Sequence, residues 1–460
     1  MNIRTLRKQA SGFALAIALV TGTAMVAGHI VPDEAHAQRK KKKKGKDDEA
    51  GKPQYSKEFV DAFAPLNDAT KAEGADIAAL RPQLDQVFAL VKNDDEKFQS
   101  GLLAYNMGVQ ANDLELRLLG METMLESGKA PFDAQGQYNF IAYQTAAVLK
   151  QYEKARGYLK RVMELGYQGG PSQSELLVAM AQNHFNTDQY AEGLGYLDQA
   201  IAAKTASGEP VEEKLYEIAF SVAYREDLRP QVYDYAIERA TRFPTDANWM
   251  NAINVVRVLN DFGPQQALDV LRLSRMADVM NEKQDYIVYV ETADARRLPQ
   301  EVKEVIEQGY ASGTITRDDT FIADQLRIAD SRIAADKADL PAYEKDAMAP
   351  DAKLATVLGA ANAFLNYGEY AKAAQLFEKA LGLPGVETGE ALTRLGIAQV
   401  GMEDYAAAQE TFAKISGPRQ PIGKVWAGYA AAQAGEMPGA AAQEETGPSL
   451  QELMGGQASS

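Results

Sequence analysis

Cysteine is missing from all 460 residues, which excludes disulfides, a thiolate nucleophile, a thiolate metal site and a lipoprotein acylation site. Histidine is nearly missing: of three, His29 and His36 lie close to the N-terminus and only His184 lies beyond them. That scarcity argues against a Ser-His-Asp triad or a multi-histidine metal centre, and no cofactor or metal is expected. Past the N-terminal segment there is no apolar run long enough to span a bilayer, and no stretch of strict apolar-polar alternation reads as a strand. Net positive charge is confined to the N-terminal segment. Residues 1–46 hold ten basic and two acidic groups, so of the chain's net −16 the remainder carries −24. A body that acidic repels nucleic acid and anionic lipid. The basic arm Arg39–Lys46 is the one segment suited to weak contact with an anionic membrane surface, and its simplest reading is a solvated leader.

What is present begins with an export pattern. Arg4, Arg7 and Lys8 form a basic start, Phe13–Ala27 an apolar stretch, and Ala35-His36-Ala37 a small-residue cleavage site, which makes residues 1–37 a signal peptide and Gln38 the first mature residue. No Arg-Arg pair occurs in this segment, which favours the general secretory route and a periplasmic or secreted location. The basic cluster directly after the site favours retention instead, so the competing expectation is an uncleaved inner-membrane anchor carrying a cytoplasmic adaptor.

Residues 38–54 read as a linker that is first basic, then acidic. From Tyr55 apolar residues recur at helical spacing, broken every dozen or so residues by Gly, Asn, Asp or Pro. The expected fold class is all-α. Within it, Leu114, Tyr152, Tyr190 and Leu228 follow one another at intervals of 38, and nine residues before each stands Tyr105, Tyr143, Ala181 or Ala219. Tyr370, Ala373 and Phe377 recur 35 residues on as Tyr405, Ala408 and Phe412. A fixed period in this range marks two-helix units that bury their apolar faces only against neighbours. Weaker units align at Ile77, Phe262 and Leu298.

The run Ala361, Phe364, Tyr370, Ala373, Phe377, Ala380 and Pro384 resembles the tetratricopeptide repeat, a unit of about 34 residues. Prolines also punctuate earlier units at Pro131, Pro171, Pro210 and Pro244. The pattern departs from the family where Arg117, Gly193 and Gln231 stand in place of the expected alanine. The resemblance implies a right-handed superhelical α-solenoid of about ten hairpins. Its expected parts are an N-terminal repeat block at 55–316, an irregular helical connector at 317–353, a C-terminal repeat block at 354–435 capped by a partial unit with Trp426 and Tyr429, and a disordered tail at 436–460.

The resemblance also implies a concave groove lined by the first helix of each unit. Its groove-facing position falls on Asn106, Gln144, Gln182, Phe220, Asn254, Val290, Asn362 and Ile397, five of them carboxamides, with Gln110, Asn186 and Asn366 one turn further on. A carboxamide donates and accepts, so such a row can pair with the backbone of an extended peptide whatever its side chains. Tyr216, Phe220 and Tyr224 stand one turn apart and suit either an aromatic anchor pocket or inter-repeat packing, the latter favoured by Tyr233 and Tyr235 nearby. The functional expectation is a non-catalytic scaffold that binds a protein or extended peptide. The alternative is an all-α envelope enzyme acting on carbohydrate with a carboxylate pair. Acids such as Asp188, Glu369 and Asp404, however, sit where turns and helix caps need them.

Overall fold

The computed structural model of the protein describes residues 53–435. The signal segment, the basic arm, all but the end of the linker and the tail at 436–460 lie outside the described residues. Among the described residues there are twenty α-helices, one 3-10 turn and no strand. In chain order they are α1 (Lys57–Thr70), α2 (Ile77–Ala89), α3 (Asp94–Gln110), α4 (Leu114–Glu126), α5 (Phe132–Val148), α6 (Tyr152–Glu164), α7 (Gln173–Phe185), α8 (Tyr190–Ser207), α9 (Glu213–Arg225) and α10 (Gln231–Arg242). There follow α11 (Asp246–Val258), α12 (Pro264–Met276), α13 (Lys283–Ala293), α14 (Pro299–Ser312), α15 (Thr320–Met348), α16 (Leu354–Asn366), α17 (Tyr370–Leu381), α18 (Thr388–Gly401), α19 (Tyr405–Ala413), the 3-10 turn Gly417–Arg419 and α20 (Gln420–Ala434). Helices pack mainly on their sequence neighbours, as in a helical repeat solenoid. The described residues divide into two compact units, the first ending at Ala203 and the second beginning at Lys204. No described helix is long and apolar enough to cross a membrane.

The ladder of the sequence is a ladder of turns. Leu114, Tyr152, Tyr190, Tyr370 and Tyr405 are each the first residue of a helix. Two positions before each stands a residue in the left-handed region: Asn112, Lys150, Asp188, Gly368 and Glu403. The amide between the two reaches back to a carbonyl of the preceding helix, as in Asp113 N to Gly108 O at 2.8 Å, Gln151 N to Ala146 O at 2.8 Å and Asp404 N to Gln399 O at 2.9 Å. This bond satisfies a carbonyl that the helix end leaves orphaned. Leu228 slips by one place: its own amide makes the equivalent bond, to Ala223 O at 2.9 Å, and Asp227 takes the left-handed conformation. Of the acids read as turn and cap residues, Asp404 caps a helix with its side chain, while Glu369 precedes α17 with no side-chain cap bond. Asp113 and Asp404 cap α4 and α19 by accepting from Leu116 N and Ala407 N, and Asp188 accepts from the Tyr190 hydroxyl at 2.7 Å.

In the first unit, small residues set how closely paired helices approach. A Cβ on Gly101 would lie 2.7 Å from Met124 N, and one on Gly120 would lie 2.7 Å from Gly101 O, so α3 and α4 meet backbone to backbone. The departures from the repeat pattern obey the same size rule. Where Arg117 replaces alanine, its helix partner offers Gly108, whose Cβ would lie 2.6 Å from Arg117 N. Gly193 leaves room for the Phe185 ring, while Ala155, Ala373 and Ala408 fill that position elsewhere and are fully buried. Around these crossings Leu118, Met121, Tyr138, Ala142, Leu159 and Met180 form one core cluster, and each fully buried large side chain contributes about 1.5–3 kcal/mol.

The second unit is arranged differently. The segment expected to be an irregular helical connector is formed mainly by one 29-residue helix, α15, with Pro341 inside it and only Ile322, Ala329 and Ala347 buried. The last helix, α20, packs on α19 and also on α10, α11, α12 and α18. The expectation of a terminal cap therefore needs correction: α20 ties the end of this unit to its beginning. Trp426 is fully buried and stacks on Phe412 with centroids 5.8 Å apart, Tyr429 meets Trp249 edge-on at 5.5 Å, and the Thr241 hydroxyl donates to Gly428 O at 3.4 Å. Burying these aromatic faces supplies an apolar driving force for the closure.

Two glycines test the packing rule. Gly120→Ala is expected to destabilise the first unit by about 1–3 kcal/mol through overpacking. Gly157→Ala, in α6 with nothing within 4 Å of the added methyl, is expected to stabilise it by about 0.5–1 kcal/mol. Urea unfolding followed by circular dichroism measures both, and equal effects would contradict the close approach of α3 and α4.

Candidate functional site

The groove-facing position has different fates in the two units. In the first, Asn106 on α3 is exposed, and Gln144 on α5 and Gln182 on α7 are half-buried. Gln144 and Gln182 each stand between two buried residues, Tyr143 and Thr145 or Ala181 and Asn183, whereas Asn106 stands between half-buried Tyr105 and buried Met107. The Asn106 and Gln144 side chains make no hydrogen bond to another described residue. Gln182 Nε2 donates to Asn186 Oδ1 at 3.0 Å, which keeps both amides on one helix face. His184 is half-buried against Tyr196, and its Nδ1 lies 2.7 Å from Gln189 Oε1, a packing role.

In the second unit most equivalent positions are used by the fold. Val290 and Ile397 are buried. The Asn362 carboxamide is engaged at both ends, Nδ2 donating to Leu358 O at 2.8 Å and Oδ1 accepting from Arg394 Nη1 at 2.8 Å. Asn254 is half-buried on α11. Tyr216 is fully buried, with its ring beside Phe243 at 6.0 Å and the Arg242 guanidinium 5.6 Å from its centre, so it belongs to the core. Phe220 and Tyr224 are half-buried and pack on each other at 5.8 Å.

The most unusual chemistry of the second unit lies where its ends meet, and sequence reasoning missed it. Asp269 on α12 has no exposed surface and accepts from three arginines: Arg272 Nη1 at 2.8 Å, Arg419 Nη1 at 2.7 Å and Arg394 Nε at 3.5 Å. Its backbone carbonyl takes the Trp426 indole N–H at 2.8 Å. Arg272 reaches Glu301 with two parallel bonds of 2.8 Å, and the Tyr289 hydroxyl adds a third at 2.7 Å. Burial alone would raise the Glu301 carboxyl, but Arg272 and the Tyr289 hydroxyl outweigh it and hold the group below the ordinary glutamate value. Burial and the nearby Glu301 charge push Tyr289 far upward. The signal was present in the sequence as charges within apolar helical runs, Asp269 and Arg272 among Leu268, Val270, Leu271 and Leu273, and Arg394 between Leu392 and Leu395.

Beside this cluster opens a cavity of about 320 Å³, reached by residues of α12, α13, α14, α16, α17 and α18. Its wall includes Arg275, Glu304, Asn366 and Tyr370 together with the apolar Met276, Leu365 and Ile397. A second, mostly apolar concavity of about 490 Å³ runs between α10 and α20, past Ile237, Phe412, Ile415 and Ala431. Among the described residues no group of three or more His, Asp or Glu side chains is placed to hold a metal ion.

Because removing one partner of a buried ion pair strands the others, Asp269→Asn is expected to cost about 3–5 kcal/mol. Both tryptophans of the chain, Trp249 and Trp426, lie in the second unit, so their fluorescence reports its unfolding. Glu301, lowered in the fold, contributes stability that is present above the ordinary glutamate value and lost as pH falls through the folded one. Tryptophan-detected melting should therefore weaken below about pH 4, and Glu301→Gln should reduce that acid dependence while lowering stability at neutral pH. Set against known protein families and against curated proteins, the sequence matches none.

Proposed function

We propose that this chain is a non-catalytic, tetratricopeptide-like scaffold of the cell envelope that holds an extended peptide or protein segment along its first unit. The observation that carries the reading is the register of Asn106, Gln144 and Gln182. They recur at intervals of 38 on three successive first helices, each next to a buried residue yet not itself buried. Amides so placed can pair with main-chain N–H and C=O groups, which every peptide offers. Each such pair contributes only about 0.5–1.5 kcal/mol net, so recognition by this row is modest and tolerant of sequence. The export pattern at residues 1–37 supports a periplasmic or secreted setting, with an acidic body that keeps nucleic acid away.

Replacing Gln144 and Gln182 by Ala removes two of the three amides without touching the helix crossings. A photoreactive residue at Asn106 is expected to crosslink a partner in the envelope fraction, and the double variant should lower that yield by about tenfold, within the range two lost pairs allow, at unchanged melting temperature. Undiminished crosslinking would sink the amide-row reading. Hydrolysis of an envelope polysaccharide by the purified chain, abolished by a single Asp or Glu substitution, would contradict the non-catalytic part. Mass spectrometry of the mature protein is expected to find Gln38 first, whereas an intact N-terminus would mean a membrane anchor.

A further inference from the structure

We propose that the cavity of the second unit is a binding site for a small carboxylate with an apolar body. The case rests on which wall groups are already engaged. Glu301 accepts on both oxygens, Oε1 from Arg272 Nε and Tyr289 and Oε2 from Arg272 Nη2. Glu304 is likewise engaged, Oε2 by Arg275 Nη2 at 2.9 Å and Oε1 by Gln300 at 2.9 Å. The carboxylates of the wall are therefore occupied.

The donors are not. Arg275, which lines the cavity, commits Nη2 to Glu304 and makes no other hydrogen bond among the described residues. Asn366 is only 4% exposed; its Oδ1 accepts from Glu301 N at 3.0 Å, while its Nδ2 has no partner among the described residues. The Tyr370 hydroxyl, on the same wall, is also without a hydrogen bond there. A permanently charged fork, an amide N–H and a hydroxyl on one wall, whose carboxylates are already paired, match an anionic ligand with two oxygens.

The rest of the wall sets the body of the ligand. Met276, Leu365 and Ile397 supply apolar surface, and a volume of about 320 Å³ sits at the small end of the usual range for small-molecule sites. A bare inorganic anion would leave that surface unfilled. A carboxylate on a short branched or aromatic body fills both halves, and it can come from a free acid or from the C-terminal residue of a peptide.

Calorimetric titration of the full chain with 4-methylvalerate, its amide, and a Gly-Gly-Gly-Gly-Leu peptide with a free or amidated C-terminus separates these sources. At least one free carboxylate is expected to bind, with its amide weaker by roughly tenfold or more. Binding by 4-methylvalerate alone assigns a free acid, and binding by the free peptide alone assigns a chain terminus. Arg275→Gln is expected to weaken binding by roughly tenfold or more and Tyr370→Phe, which keeps the ring, by about threefold to tenfold. Should Arg275→Gln fail to fold, Tyr370→Phe still decides. Equal binding of acid and amide, no binding of either acid at about 10 mM, a concentration that would reveal even very weak sites, or wild-type affinity in Tyr370→Phe overturns the proposal.

Discussion

One buried carboxylate holds the second unit together. Asp269 has no exposed surface, and in place of water it accepts from Arg272, Arg394 and Arg419, which come from three separate stretches of chain. Each arginine is itself buried and must be neutralised, which draws in Glu301 for Arg272 and Glu390 for Arg394. The cluster therefore fixes α12 against α18 and the 3-10 turn at once, and that turn leads directly into α20. The indole bond from Trp426 to the Asp269 carbonyl then sets the register of α20 on α12. Apolar burial drives the helices together, but it is non-directional, and the charges decide which arrangement is adopted.

The first unit has a buried carboxylate of shorter reach, Glu96, which accepts from Ser56 N and Lys92 N, and otherwise relies on local rules. Turn residues in the left-handed region follow α3, α5 and α7, Asp113 caps α4, and glycine or alanine admits the crossing. These rules act over fewer than two dozen residues, which is why the sequence displays them. Leu114, Tyr152 and Tyr190 are legible as helix starts from the residue pattern alone, and so is the capping role of Asp404. The slip at Leu228 is hidden because its turn is one residue displaced while its apolar character is unchanged. The tie through Asp269 is hidden for a different reason. Its partners Arg394 and Arg419 lie 125 and 150 residues away, and nothing in a single sequence pairs them. All that shows at that level is that Asp269, Arg272 and Arg394 interrupt apolar runs.

The same contrast decides where binding can occur. A repeat stack offers its first-helix face to partners only where the chain itself does not occupy it. Asn106, Gln144 and Gln182 keep that freedom, while Asn362 is drawn into the arginine network and Val290 and Ile397 into the core. The amide row expected along the whole chain is thus an available surface in the first unit. In the second, closure trades it for a walled cavity whose free donors belong to residues that the network has positioned.

Native-state hydrogen exchange, compared between the full chain and its Asp269→Asn variant, tests the central role of this carboxylate most directly. If Asp269 is the tie, amides of α10, α11, α12, α18 and α20 should lose protection together, and those of α3 to α7 should be unchanged. Loss of protection confined to the turns of α12 around residue 269, with α18 and α20 as protected as before, would contradict it.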